Sequence, residues 1–160
     1  MKIIANVKFD LNFTTDYGQF YLNDKDSTGD TGSEDFWSSQ AFVDKIAIEE
    51  GVLGISIENR EGIVKCELEI LKSKSTILDF DDFDHVCEAS IKIESGFLQI
   101  VDCPFNEIEL ETEIEKGVYR VRVYSNNLKA AYSENPADFY KIEMWKEALS
   151  ERNVLKRYLG

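Results

Sequence analysis

From Glu107 to Glu115 every second residue is a glutamate, and Ile108, Leu110, Thr112 and Ile114 fill the places between. An extended chain sends alternate side chains to opposite faces, whereas a helix would scatter these carboxylates around its axis. The stretch therefore reads as a strand with one carboxylate face. After Lys116-Gly117 a second alternating run follows, with Tyr119, Val121 and Val123 on one face and Arg120 and Arg122 on the other. A third, residues 138–145, sets Tyr140, Ile142 and Met144 against Lys141 and Glu143. A chain carrying three such runs in series is committed to sheet.

The same period appears upstream. Val7, Phe9, Leu11 and Phe13 alternate with Lys8, Asp10 and Asn12, which predicts Phe9, Leu11 and Phe13 buried and Lys8 and Asp10 exposed. Residues 17–22 are expected to return beside this strand as a hairpin. Residues 52–58 and 62–73 form a second expected hairpin through Asn59-Arg60-Glu61, and residues 85–93 and 97–101 a third through Glu94-Ser95-Gly96. Residues 23–35 are a polar loop rich in Asp, Ser, Thr and Gly. Phe36, Trp37, Ala41 and Phe42 have helical spacing and place a short helix within 36–45. Leu149, Val154, Leu155 and Tyr158 place a second amphipathic helix in the tail, residues 146–160. The expected fold is mainly β: an antiparallel β-sandwich of about eight or nine strands, a single domain over residues 1–160.

With 160 residues the chain can bury a core without disulfides or metal. Three cysteines, Cys66, Cys87 and Cys103, are an odd number at irregular spacing and point to a reducing compartment. The N-terminus passes quickly from Met1 into alternating charged and apolar residues, without the apolar core of a signal peptide, and no run reaches membrane-spanning length. These features place the protein in the cytoplasm. A formal net charge of −13 argues against nucleic acid or an anionic membrane as a direct partner and favours a basic protein.

Motifs for chemistry are sparse. The loop from Asp24 to Asp35 has oxygen ligands at alternate positions and a glycine at the sixth, as a calcium-binding EF-hand loop does. Its last residue, however, is Asp where a bidentate Glu is usual, and the segment before it reads as a strand, so a solvated loop is the better reading. His85 and Cys87 share a strand face, yet no Cys-x-x-Cys pair accompanies them, and the thiols read as buried apolar groups. No nucleophile elbow, phosphate loop or dinucleotide fingerprint occurs, and no cofactor is implied. The rival reading, an enzyme or small-ligand binder, would draw its carboxylates from residues 79–84.

The strongest candidate surface is the glutamate array, with Glu109, Glu111 and Glu113 as partner-binding residues spaced about 6.6–6.8 Å apart on one face. The structural alternative is an edge strand kept soluble by charge, with Arg120 or Arg122 nearby to offset the repulsion. The segments Tyr17-Gly18-Gln19-Phe20-Tyr21-Leu22, Phe36-Trp37-Ser38-Ser39-Gln40-Ala41-Phe42 and Gly51-Val52-Leu53-Gly54-Ile55-Ser56-Ile57 resemble the N-terminal half of the competence-protein-J family of bacterial nuclease inhibitors. Residues 114–123 and 138–142 look like that family's closing strands. The resemblance implies an acidic inhibitor or immunity-type protein, monomeric or weakly dimeric, bound to a nuclease or other basic toxin. Should the array prove only a soluble edge, the blocks at residues 17–22 and 36–42 are the next candidate surface.

Overall fold

The computed structural model describes residues 5–160 and holds among them eleven strands, one short helix and a 3-10 turn at Leu128–Tyr132. Residues 1–4, where the reading of a leaderless N-terminus begins, lie outside the described residues. In chain order the elements are β1 (Val7–Thr14), β2 (Gln19–Asp24), α1 (Ser39–Asp44), β3 (Ile46–Glu49), β4 (Val52–Ser56) and β5 (Ile63–Ile70). They continue with β6 (His85–Ile93), β7 (Phe97–Val101), β8 (Ile108–Glu113), β9 (Gly117–Asn126), β10 (Phe139–Lys146) and β11 (Asn153–Lys156). One sheet has the order β1-β5-β10-β9-β6-β11 and the other β3-β4-β2-β7-β8. No helix among the described residues is long and apolar enough to cross a membrane.

Alternation sorts the side chains as the sequence predicts. In β5, Val64, Cys66, Leu68 and Ile70 are buried and the residues between them are half-buried. Phe13 is buried, Phe9 and Leu11 pack half-buried beneath it, and Lys8 and Asp10 face solvent. One apolar cluster takes Leu68, Val121 and Ile142 from the six-stranded sheet and Phe20, Leu53 and Ile100 from the five-stranded one. A smaller cluster lies on the far face of the five-stranded sheet, where Phe36 and Trp37 cover Tyr21, Ala47, Val52 and Val101. Gly54 allows that cover, since a Cβ there would sit 2.8 Å from Phe36 Cζ and 2.9 Å from Trp37 Cζ2.

The expected hairpins are not hairpins. β1 pairs with β5 while β2 pairs with β4 and β7; β4 and β5 lie in different sheets, and so do β6 and β7. Each supposed turn instead carries the chain from one sheet to the other. Pairing is predominantly antiparallel, as expected, with one parallel seam, where β10 inserts between β5 and β9 and runs parallel to β5, with Ile142 opposite Leu68. The strand count is also higher than expected, since Ile46–Glu49 forms the short strand β3. The helix within 36–45 is confined to Ser39–Asp44, where the Ser38 hydroxyl accepts from the Ala41 amide as an N-cap.

The helix expected in residues 146–160 does not form; the segment holds the four-residue strand β11 instead. β11 pairs antiparallel with β6, Val154 opposite Cys87, and fills what would be an open edge of the larger sheet. Val154 and Tyr158 pack against the core, but Leu149 is 75% exposed, so the apolar row of the expected helix is not buried as one face. Backbone donors and acceptors waiting on β6 outweigh its weak helical spacing.

The outer face of the six-stranded sheet carries a buried polar network. Glu88 accepts from Arg120 Nε at 2.9 Å and Arg122 Nε at 2.5 Å, with all three side chains at most 10% exposed. Arg122 also lies over the Phe80 and Trp145 rings, and Tyr124 donates to Glu143, which accepts from Ser75 Oγ at 2.7 Å as well. Removing one partner of such a group leaves uncompensated charge in a poorly solvated place. Glu88→Ala, which strands two arginines, is therefore expected to destabilise by about 3–5 kcal/mol. Urea unfolding followed by tryptophan fluorescence checks this; a loss below about 1 kcal/mol would mean that the arginines find water.

Candidate partner-binding surface

β8 is an edge strand whose one partner is β7, with Gln99 opposite Glu111 and Phe97 opposite Glu113. Glu111 and Glu113 are exposed on the outer face, while Leu110 turns toward the core and Ile114, just past the strand, is buried. The Glu111 carboxylate accepts from Gln99 Nε2 at 2.8 Å and lies 3.4 Å from Lys25 Nζ. The Gln99 bond, aided by Lys25, holds its pKa below the ordinary glutamate value. Lys25 also covers the Phe97 ring beside Glu113, at 5.0 Å from the centroid.

Glu109 departs from the straight array. Ile100 faces Leu110 and Val101 faces Ile108, so Glu109 is the extra residue of a β-bulge, which bends the strand and re-aims its side chain. Its carboxylate converges with those of Asp102 and Glu107, ligand atoms lying within 4.8 Å of one another, the one such His, Cys, Asp or Glu group among the described residues. Asp102 Oδ1 also accepts the Glu107 amide at 2.9 Å, closing the turn that feeds β8. Partial burial, then the Asp102 and Glu107 charges, push the Glu109 carboxyl above its ordinary value. Glu115, past the end of β8, points to the other sheet and bonds Lys146. Arg120 and Arg122 do not attend the array, because both are committed to Glu88.

The Asp24–Asp35 loop lies across the same face. Asp24 is 3% exposed, and its carboxylate accepts the Glu94 amide at 3.0 Å, the Ser95 amide at 3.1 Å and the Ser95 hydroxyl, so it pins the crossing from β6 to β7. Asp30 and Ser33 accept amides two residues ahead in local turns, and Ser27 donates to the Glu50 carbonyl. The loop and the start of β8 wall a pocket of about 250 Å³ whose floor includes Asn23, Gln99 and Val101.

The other sequence candidates disperse. His85 is bonded through both ring nitrogens, to the Asp44 carbonyl and the Tyr158 amide. Burial pushes the Cys66 and Cys87 thiols up to about 12, which leaves neither as a thiolate at neutral pH. Of residues 79–84, Phe80 and Phe83 pack against Tyr124, Asp79 caps the Asp81 amide and Asp84 accepts the Leu128 amide.

A groove of about 500 Å³ opens between the β1–β2 crossing, α1 and residues 56–62. Tyr17 and Phe42 stand on its rim, 79% and 71% exposed, and Lys45 and Glu58 form a 2.8 Å ion pair in its wall. The sequence gives Phe42 helical spacing with Phe36, which favours burial; only the αL backbone of Tyr17, φ 59° next to Gly18, sets that ring outward. Both rings belong to the fallback blocks at residues 17–22 and 36–42.

No protein-family model matches the chain, and no curated protein matches it. Solved structures do. The chain is similar to ComJ of Bacillus subtilis, inhibitor of the DNA-degrading activity of NucA, with a TM-score of 0.68 and 17% identity over 89% of this chain and 98% of that one. It is also similar to the product of crocagin biosynthetic gene J, with a TM-score of 0.59 and 15% identity over 91% of this chain and 100% of that one. The competence-protein-J resemblance read from the sequence holds at the level of fold.

The raised pKa of Glu109 fixes the sign of a pH effect. Its ionised form is disfavoured by folding, so the residue weighs against stability at neutral pH and ceases to as pH falls through its raised value. Glu109→Gln is expected to raise the melting temperature at about pH 7 and leave it unchanged at about pH 3, where wild type is neutral there too. Scanning calorimetry at both pH values checks the pattern, which an equal shift at each pH would contradict.

Proposed function

We propose that this protein is a binding inhibitor of a nuclease, working as a single-domain cytoplasmic β-sandwich, monomeric or weakly dimeric, that offers an acidic surface to a basic partner. The observation that carries the reading is the fold likeness to ComJ over nearly all of that chain, 98%, at a TM-score of 0.68. Physical support comes from charge. Nucleases bind phosphate through cationic grooves, and a protein of net charge −13 meets such a groove with complementary potential. Glu111 and Glu113 are placed to make the contact, with the Asp102, Glu107 and Glu109 knot beside them.

The bulge divides the work between these groups. Glu111 and Glu113 lie on the sheet's outer face and reach a partner directly. The three-carboxylate knot has no paired cation among the described residues and adds a concentrated negative field, which steers encounter more than it adds contact.

The test has two stages. DNA degradation by a NucA-type nuclease is followed with rising amounts of this protein, and stoichiometric loss of activity is expected; undiminished activity at a large excess of protein sinks the proposal. With inhibition in hand, combined Glu109→Gln, Glu111→Gln and Glu113→Gln is expected to slow association about tenfold or more at low salt. The variant should also be less sensitive to added salt than wild type, because these charges act through fields that ions screen. An unchanged rate and salt dependence would move the contact to the groove rimmed by Tyr17 and Phe42.

A further inference from the structure

The tail is tied down by unusual means. Arg152 Nε and Arg157 Nη2 hold the two oxygens of Asp44 at 2.9 and 2.7 Å, and Arg157 also donates to the Val43 carbonyl. Beyond β11, the Tyr158 amide donates to His85 Nδ1 at 3.0 Å, and the Tyr158 ring lies under Lys45 at 5.8 Å. His85, the only histidine, is 0% exposed at the start of β6.

A backbone amide can only donate, so Nδ1 of His85 must be the bare nitrogen. Nε2 then carries the single proton and donates it to the Asp44 carbonyl at 2.8 Å. The neutral tautomer is thus written into the bonding. A second proton would go to Nδ1, where it would meet the Tyr158 N–H head on. We propose that the C-terminal strap, residues 152–158, is a proton-released latch whose catch is His85.

The surroundings decide whether the catch holds near neutrality. Burial opposes the charged ring first; its bond to the Asp44 carbonyl and the Asp44 charge favour it, while Lys45 and Arg157 oppose it, and the balance sets its pKa below 6.5. Glu58, across the groove wall, also faces the ring. Both carboxylates are already engaged, Asp44 by Arg152 and Arg157 and Glu58 by Lys45 at 2.8 Å. Against the opposing effect of its burial, Asp44 itself is held below the ordinary aspartate range by Arg157, Gln40 and Arg152.

The sign follows. With the strap in place His85 resists protonation; with the strap lifted it is a solvated histidine. The latch is at full strength above 6.5 and weakens as pH falls toward the lowered value, the open fraction rising by at most about tenfold per pH unit. Release unpairs β11 from β6, baring the edge at Val86–Glu88, and removes the ring beneath Lys45, a wall residue of the groove.

Amide exchange on the full chain, corrected for intrinsic rates, tests this. Between about pH 7 and about pH 5, protection of residues 153–158 is expected to fall about threefold or more while the β9 amides stay protected. His85→Gln, which cannot titrate, is expected to show no such dependence. In the wild type, imidazole nitrogen shifts give a reading that needs no variant: Nδ1 bare at neutral pH, and protonated in the same step that exposes the strap. Protection unchanged across the range overturns the proposal, as does the same pH dependence in His85→Gln, protonation with the strap still protected, or parallel loss in β9.

Discussion

Four times this chain leaves one sheet for the other, between β1 and β2, β4 and β5, β6 and β7, and β8 and β9. A crossing takes the backbone off both ladders, so its donors and acceptors need partners from elsewhere. Three crossings are solved by a buried polar side chain. Thr15 donates to the Gln19 carbonyl and accepts the Cys103 amide; Asn59 brackets Ile63 through its amide and carbonyl and rests on Asp138; Asp24 receives the amides of Glu94 and Ser95. The fourth closes with backbone, Ile114 donating to the Gly96 carbonyl, and with Tyr119 donating to the Glu115 carbonyl. Two crossings touch each other: the Thr15 amide donates to the Gly62 carbonyl, and a Cβ on Gly62 would lie 2.0 Å from Thr15 O.

This arrangement sorts the charges. On the larger sheet, cations are interleaved with carboxylates across strands: Lys8 and Lys141 share Glu67, and Arg120 and Arg122 share Glu88. Cations there outnumber the carboxylates they share, and residues 71–84 cover part of the face, Phe80 lying against Arg122. The smaller sheet gets little of this. Lys25 is the cation beside Glu111, and the excess of a −13 chain accumulates along β8 and the loop before α1. The acidic surface is what remains after the cations have been used to hold the other sheet together.

What could be read in advance was the face of each strand. Phe9, Leu11 and Phe13 announce an inward row and pack against the core as one, and Glu111 and Glu113 point to solvent as their spacing implies. Which sheet a strand joins was not legible, because alternation encodes inside against outside and carries no address for a partner. Asn59-Arg60-Glu61 and Glu94-Ser95-Gly96 look like hairpin turns locally; only the distant Asp138 and Asp24 make them crossings. The Glu109 bulge was hidden for the same reason, since a strict glutamate period gives no sign that the facing strand skips a residue. The tail misled because its helical spacing is local, whereas the open edge of β6 that captures it was built by residues far earlier in the chain.

The parallel seam between β5 and β10 sets an order on how such a chain can mature. Its facing residues are distant in sequence, Lys141 and Glu67 being separated by 74 positions, yet β10 is the centre on which β1-β5 and β9-β6 converge. Until residues 139–146 leave the ribosome, the larger sheet exists as two unjoined halves whose apolar rows have no common floor. Closure of so long a loop comes late and slowly compared with local pairing. Throughout that interval the growing chain already carries the acidic segments at residues 24–35 and 107–115, a like charge that opposes association. The charge proposed above as a contact surface thus has a second consequence, for the solubility of the unfinished chain.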